Sequence, residues 1–84
     1  MRQLMRFHAE WCMPCKASAP AWKKFKEDNL SLFDYVDVDV DKEPALAETF
    51  GVQSVPALVL IEDDKNFRMR IGSFTEGDLI KFTE

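Results

Sequence analysis

Two cysteines, Cys12 and Cys15, stand at the point where a predicted strand runs into a predicted helix, and the chain has no others. This Cys-X-X-Cys spacing lets the two sulfurs close a small disulfide ring. The free N–H groups and partial positive charge of a helix start would stabilise a thiolate on the first cysteine. The alternative is a pair of ordinary half-buried cysteines. Pro14 between them and the lack of any further cysteine favour a redox dithiol.

The apolar pattern along the chain predicts seven elements in the order β-α-β-α-β-β-α. Residues that alternate or run continuously as apolar predict strands, and residues at helical spacing predict helices. The predicted strands are Leu4–His8, Tyr35–Asp41, Ala57–Ile61 and Phe67–Ile71. The predicted helices are Pro14–Asp28, with an inward stripe of Cys15, Ala19, Trp22 and Phe25, then Pro44–Phe50, and a last helix opened by Thr75 and Asp78. The first β-α-β requires a parallel pair, and the hairpin adds antiparallel strands. We therefore expect one α/β domain over residues 1–84, with a four-stranded mixed sheet flanked by helices.

Composition narrows the classes of function. The chain has 84 residues, 46% of them hydrophobic, and a net charge of −4. An acidic balance argues against a nucleic-acid or anionic-membrane partner, because the basic footprint of such proteins is missing. The longest apolar run, Val55 to Ile61, is too short to span a bilayer. The N-terminus shows no secretory leader pattern, and a lone Cys-X-X-Cys in the cytosol is more often catalytic than structural. We expect a cytoplasmic protein.

Residues Phe7 to Lys16 read Phe-His-Ala-Glu-Trp-Cys-Met-Pro-Cys-Lys and strongly resemble the active-site segment of the thioredoxin family, Phe-Trp-Ala-x-Trp-Cys-Gly-Pro-Cys-Lys. Further matches follow in order along the chain. They are Ala19-Pro20, the Val-Asp-x-x-Pro of Val40 to Pro44, the Gly-Val-x-x-Val-Pro of Gly51 to Pro56, and Gly72. The resemblance covers nearly the whole chain and implies a minimal thioredoxin-like fold that lacks the family's usual first strand and helix.

The resemblance implies reversible thiol–disulfide exchange by a protein disulfide reductase. Cys12 is then the exposed nucleophile and Cys15 the buried resolving thiol. It also implies a cis peptide bond before Pro56, close to the dithiol. The apolar surface expected to bind substrates around Cys12 consists of Trp11, Met13, Val55, Pro56 and Gly72. No cofactor beyond the redox-active disulfide is expected. The implied partners are disulfide-containing proteins such as ribonucleotide reductase, and a thioredoxin or glutaredoxin reductase system or glutathione as electron source, with the chain acting as a monomer.

Two departures from the family concern charge. Arg6 stands where the family usually has a buried Asp, and Asp37 where it often has a Lys. We expect Arg6 and Asp37 to face each other beneath Cys15 as an inverted ion pair, because a buried Arg without a partner would cost several kcal/mol. Asp37 or a water would then serve as proton relay for the buried cysteine. The alternative is that both side chains turn outward to solvent.

Two further departures lie next to the cysteines. His8 replaces the family's usual Trp; it could favour the thiolate of Cys12 or shuttle protons, although a lone strand histidine is more often a packed residue. Met13 replaces Gly in the dipeptide that tunes the redox potential, whereas Pro14 is retained.

Two other functions remain open from the sequence. One is a glutaredoxin-like reductase that uses glutathione, since Ser54-Val55-Pro56 is similar to the Thr-Val-Pro of glutaredoxins. The other is a binding subunit that clamps a partner around Trp11 without redox turnover. A metal site is disfavoured, because two cysteines and His8 supply at most three of the four ligands of a closed zinc site.

Overall fold

The computed structural model describes all 84 residues and contains the seven elements in the predicted order. The strands are β1 (Gln3–His8), β2 (Asp34–Asp39), β3 (Ala57–Ile61) and β4 (Phe67–Ile71). The helices are α1 (Met13–Asp28), α2 (Pro44–Phe50) and α3 (Glu76–Phe82). Most predicted boundaries agree within one residue; the largest difference is at the end of β2.

The four strands form one mixed sheet in the order β2-β1-β3-β4. β1 runs parallel to β2 and antiparallel to β3, and β3 and β4 form the predicted antiparallel hairpin. The crossover from β1 to β2 passes through α1, as a parallel neighbour requires. β1 is therefore a central strand, and the cysteines that follow it lie at the end of the sheet where β1 and β2 finish.

The sheet has an apolar core on each face. On one side α1 and α3 cover a cluster in which Leu4 and Leu58 are fully buried. On the other side α2 covers a cluster around Phe7 and Val59. β3 contributes to both clusters, which explains its unbroken apolar sequence, because a central strand is buried on both faces. β4 is an edge strand, and its apolar side chains remain substantially exposed: Phe67, Met69 and Ile71.

The buried stripe of α1 differs at one position from the prediction. Cys15, Trp22 and Phe25 are buried as expected, but the second turn buries Ser18 rather than the predicted Ala19, which is half-buried. The Ser18 hydroxyl oxygen accepts a hydrogen bond from the backbone N–H of Phe74 at 3.1 Å. A satisfied hydroxyl can be buried at little cost, and this bond ties α1 to the segment before α3.

β2 ends at Asp39, two residues before the predicted end at Asp41. The Asp39 carboxylate accepts hydrogen bonds from the backbone N–H groups of Asp41 and Lys42, at 2.9 and 3.4 Å. Such side-chain bonds favour a turn over a continued strand. The turn leads into α2, which ends at Gly51 in the left-handed conformation with φ of 70°.

The predicted capping box of α3 is confirmed. Thr75 Oγ1 accepts from the Asp78 N–H at 3.1 Å, and the Asp78 carboxylate accepts from the Thr75 N–H at 2.9 Å. Leu79 then reaches the core with no exposed surface, while Phe82 is only half-buried.

Candidate active site

The two cysteines form a disulfide at the start of α1, with 5.2 Å between their Cα atoms. Cys12 is the N-cap residue, and its Sγ accepts a hydrogen bond from the backbone N–H of Cys15 at 3.1 Å. Pro14 lies in the first helical turn, where its missing N–H costs no hydrogen bond. The first sulfur therefore sits where the helix start offers a donor and a partial positive charge.

Both cysteines are covered in this disulfide form. Cys12 is 3% exposed and Cys15 4%, so the prediction of an exposed Cys12 is wrong for this state. As the N-cap, Cys12 turns its sulfur toward the helix, and Ala9, Val40 and Val55 pack around the pair. The Cys12 Sγ also lies 3.6 Å from the carbonyl oxygen of Val55. A sulfur in a disulfide carries no hydrogen, so this is a packing contact that a reduced thiol could turn into a hydrogen bond.

The Val55–Pro56 peptide bond is cis. Pro56 is fully buried, and its carbonyl oxygen accepts from the N–H of Gly72 at 2.9 Å. The predicted apolar surface around Cys12 is therefore smaller than expected. Trp11 and Met13 are 68% and 70% exposed and Val55 is half-buried, whereas Pro56 lies beneath the surface.

A groove of about 110 Å³ opens between Trp11 and Val55. Its other lining residues are Val40, Val52, Gln53 and Ser54. The Trp11 indole N–H donates to the Asp41 carboxylate at 2.8 Å, which fixes the ring at the rim of the groove. Asp41 is exposed, and the sequence did not predict its contact with Trp11. The only available signal was its place in the Val-Asp-x-x-Pro match.

Arg6 and Asp37 are paired, which confirms this part of the sequence prediction. They are register partners on β1 and β2, and Arg6 Nε donates to Asp37 Oδ1 at 2.9 Å. The Arg6 side chain is 14% exposed and that of Asp37 43%. The guanidinium also lies over the ring of Trp22 of α1, 5.8 Å from its centroid. The pair thus faces the same side of the sheet as the dithiol helix.

The indole Nε1 of Trp22 is buried and has no hydrogen-bond partner in the chain. An orphan donor of this kind costs about 1–3 kcal/mol unless a water satisfies it. His8 is half-buried on β1, two residues closer to the dithiol than Arg6 and opposite Asp39. No group of three or more His, Cys, Asp or Glu side chains is arranged to hold a metal ion.

The family model for thioredoxin matches residues 1–84. The chain belongs to the thioredoxin family. A thioredoxin of Chlamydia muridarum is 36% identical over 78 residues, which are 93% of this chain and 76% of that protein. A thioredoxin of Borreliella burgdorferi is 33% identical over 73 residues, covering 87% of this chain and 62% of that protein.

Solved thioredoxin structures share the fold. The germline-specific thioredoxin Deadhead of Drosophila melanogaster superimposes with a TM-score of 0.88 and 27% identity, over 98% of this chain and 77% of that chain. The oxidised mitochondrial thioredoxin 3 of Saccharomyces cerevisiae gives a TM-score of 0.85 and 27% identity, over 98% and 76%. Both comparisons support the four-stranded mixed sheet and its three helices.

As a member of this family, the chain is a dithiol thiol–disulfide oxidoreductase that acts as a protein disulfide reductase. Membership of the family implies disulfide substrates and a reductase system that returns the dithiol to its reduced form. None of its three helices combines the length and apolar content of a membrane span.

Proposed function

We propose that Cys12 is the attacking thiolate and Cys15 the resolving thiol in the reduction of disulfide bonds in other proteins. The observation that carries this assignment is the Cys15 N–H pointing at the Cys12 sulfur from 3.1 Å. This donor supports a negative charge on Cys12, whereas Cys15 lies one turn inside the helix.

The thiol–disulfide exchange takes place in two steps. The Cys12 thiolate forms a bond to one sulfur of the substrate disulfide, the substrate S–S bond breaks, and the departing sulfur takes a proton. Cys15 then loses its proton and attacks Cys12, which releases the second substrate thiol. Two electrons and two protons pass to the substrate, and the Cys12–Cys15 disulfide remains. With 5.2 Å between the two Cα atoms, the second thiol is already beside its target.

Two matched serine variants separate the roles. Cys15→Ser retains the attacking sulfur and lacks the resolving one, so it should accumulate a mixed disulfide with substrate. Cys12→Ser should form none. Both are read by non-reducing gel electrophoresis and mass spectrometry after incubation with an oxidised protein. The assignment is wrong if Cys12→Ser traps substrate and Cys15→Ser does not.

We propose that protein substrates bind on the surface formed by Trp11, Met13 and Val55, with Pro56 and Gly72 supporting it from behind. The large exposed side chains of Trp11 and Met13 and the groove beside Val55 support this placement. Trp11→Ala should raise KM for a protein disulfide about tenfold, in line with the loss of an aromatic anchor that becomes covered when substrate binds. The same change should leave the rate with a small aromatic disulfide within about twofold.

Leu30→Ala is the matched control, because Leu30 is 66% exposed and lies at the end of α1 away from the cysteines. It should change neither rate. A Trp11→Ala variant with an unchanged KM for protein disulfides would remove Trp11 from the binding surface.

Arg6 and Asp37 form the second part of the proposal: Asp37, directly or through a water, moves the proton of Cys15. Support comes from their 2.9 Å contact on the α1 side of the sheet and from the orphan Trp22 Nε1, which offers a binding point for a water. Asp37→Asn keeps the shape and removes the titrating carboxylate. It should shift the pH–rate profile of disulfide reduction, and an unchanged profile would rule out the relay. His8→Phe tests in the same assay whether His8 contributes to the Cys12 thiolate.

The wider setting is also proposed. We infer a cytoplasmic monomer that carries electrons from a reductase to proteins such as ribonucleotide reductase. Its acidic net charge of −4 and its bacterial thioredoxin relatives support this setting. Sedimentation of the purified chain at micromolar concentration tests the monomer, and a Cys15→Ser variant expressed in the cytoplasm would capture the substrates for identification.

A further inference from the structure

The four methionines differ widely in exposure, and one of them lies at the dithiol. Met13 is the first residue of α1, next to Cys12, and is 70% exposed. Met1 is 75% exposed at the chain terminus, Met69 is 37% exposed on β4, and Met5 is 4% exposed in the core. Met13 is thus the one thioether that is both open to solvent and adjacent to the reactive sulfurs.

Closing the disulfide leaves Met13 as the accessible sulfur at this end of the molecule. Cys12 and Cys15 are then bonded to each other and nearly covered. Oxidising conditions favour this form, so an oxidant that reaches the protein meets the Met13 thioether before a cysteine thiolate. At 70% exposure the Met13 thioether is open to a dissolved oxidant, which converts methionine to its sulfoxide.

We propose that Met13 is a modification site at which a peroxide converts the thioether to a sulfoxide, and that this change weakens the binding of protein disulfides. The sulfur donates an electron pair to one peroxide oxygen, an S–O bond forms, the O–O bond breaks, and water leaves. Methionine is oxidised by two electrons and the peroxide is reduced. This inference rests on the proposed substrate surface, of which Met13 is a part.

The expected effect follows from the change in polarity. A thioether is flexible and apolar and adapts to a protein partner, whereas a sulfoxide is polar and holds water. Losing this contact should lower the rate with a protein disulfide about three- to tenfold, which is the range for part of one apolar side chain. A small disulfide contacts mainly the sulfur of Cys12, so its rate should change less than about twofold.

The test begins with the disulfide form of the full chain, which protects both cysteines. It is treated with hydrogen peroxide, freed of peroxide, reduced with a dithiol, and desalted. The four methionines are mapped by mass spectrometry. Single-turnover rates are then measured with insulin and with a small aromatic disulfide, before and after peroxide and after treatment with methionine sulfoxide reductases.

Met13→Leu removes the oxidisable sulfur at similar volume, and Met69→Leu is the matched control on β4. Peroxide should lower the insulin rate of the natural chain and of Met69→Leu, and sulfoxide reductases should restore it. The ratio of treated to untreated rates should stay at one in Met13→Leu. Complete oxidation of Met13 with an unchanged insulin rate overturns the inference, as does oxidation of Met69 ahead of Met13. An untreated chain that does not reduce insulin would instead refute the proposed function on which the inference rests.

Discussion

Replacing Asp37 by Ala removes the partner of a guanidinium that is only 14% exposed. Arg6 would keep its charge and its position over Trp22 but lose the carboxylate 2.9 Å away. Leaving a mostly covered charge without its partner costs more stability than losing a surface pair, and less than leaving a fully buried charge unpaired. We expect Asp37→Ala to lower the free energy of unfolding by about 1–2 kcal/mol.

Replacing Arg6 instead of Asp37 should lower the free energy of unfolding by less. Arg6→Met retains an apolar stem against Trp22, and the carboxylate of Asp37 is 43% exposed and remains hydrated. The loss of the cation–π contact is worth about 0.5–1 kcal/mol. The double variant leaves no stranded charge, so the coupling energy of the pair should be about 1 kcal/mol.

Urea unfolding at pH 7 of the natural chain, both single variants and the double variant measures this coupling. The chain supplies its own reference in Lys24 and Asp28, an i, i+4 pair at 3.0 Å with 64% and 51% exposure. The coupling of that surface pair should be about 0.3–0.5 kcal/mol and should fade in high salt. A coupling for Arg6 and Asp37 no larger than for Lys24 and Asp28, with the same loss in salt, would refute the reasoning.

Three further predictions concern stability. Leu79→Ala should cost about 2–5 kcal/mol by urea unfolding, because Leu79 has no exposed surface, while Ile80→Ala at 51% exposure should cost less than about 1 kcal/mol; equal losses would contradict the core assignment. Gly51→Ala should lower the free energy of unfolding by about 1 kcal/mol because of backbone strain at a φ of 70°; no steric clash adds to it, since no atom lies within 4 Å of an added Cβ. Gly51→Asn should lower it less, and a stabilising Ala would exclude this strain. The hydrogen bond from the Thr75 backbone N–H lowers the pKa of Asp78 below its usual 3.8. The ionised carboxylate therefore contributes its full stabilisation at neutral pH, and this stabilisation is lost as the pH falls through the lowered pKa. Asp78→Asn should therefore flatten the acid limb of stability against pH, and an unchanged limb would argue against the capping contribution.

The order and type of the elements could be predicted because local pattern determines them. Alternation identified β2 and β4, apolar residues on both faces identified β1, and the unbroken apolar run identified β3. Pro14, Gly51 and the Thr75–Asp78 box act within one turn of the helices that they bound. The redox dithiol could be predicted for the same reason, because Cys12 and Cys15 lie at the start of one helix. The family resemblance, rather than any pattern, supplied the roles of the two sulfurs and the cis bond.

The contacts between distant residues could be inferred only weakly from the sequence. Arg6 and Asp37 were expected to pair only because both departed from the family at facing positions. Asp41, which is exposed, accepts a hydrogen bond from the Trp11 indole N–H 30 residues away, a contact that no local pattern indicates. Ser18 was passed over for Ala19 because its partner, the Phe74 N–H, is 56 residues away.

The amino-acid pattern alone was enough to show that a helix begins at the cysteines and that β1 and β3 are buried on both faces, since those features depend on neighbours in the chain. The packing of the elements was needed to show how covered the sulfurs are, which side chains form the groove, and that the apolar side chains of β4 stay partly exposed. These properties depend on strand order and register. The fold brings the Val55 carbonyl oxygen to 3.6 Å from a sulfur 43 residues away. It also makes β4 an edge strand, in which Phe67 packs on Phe50 of α2 but the apolar side chains stay partly exposed.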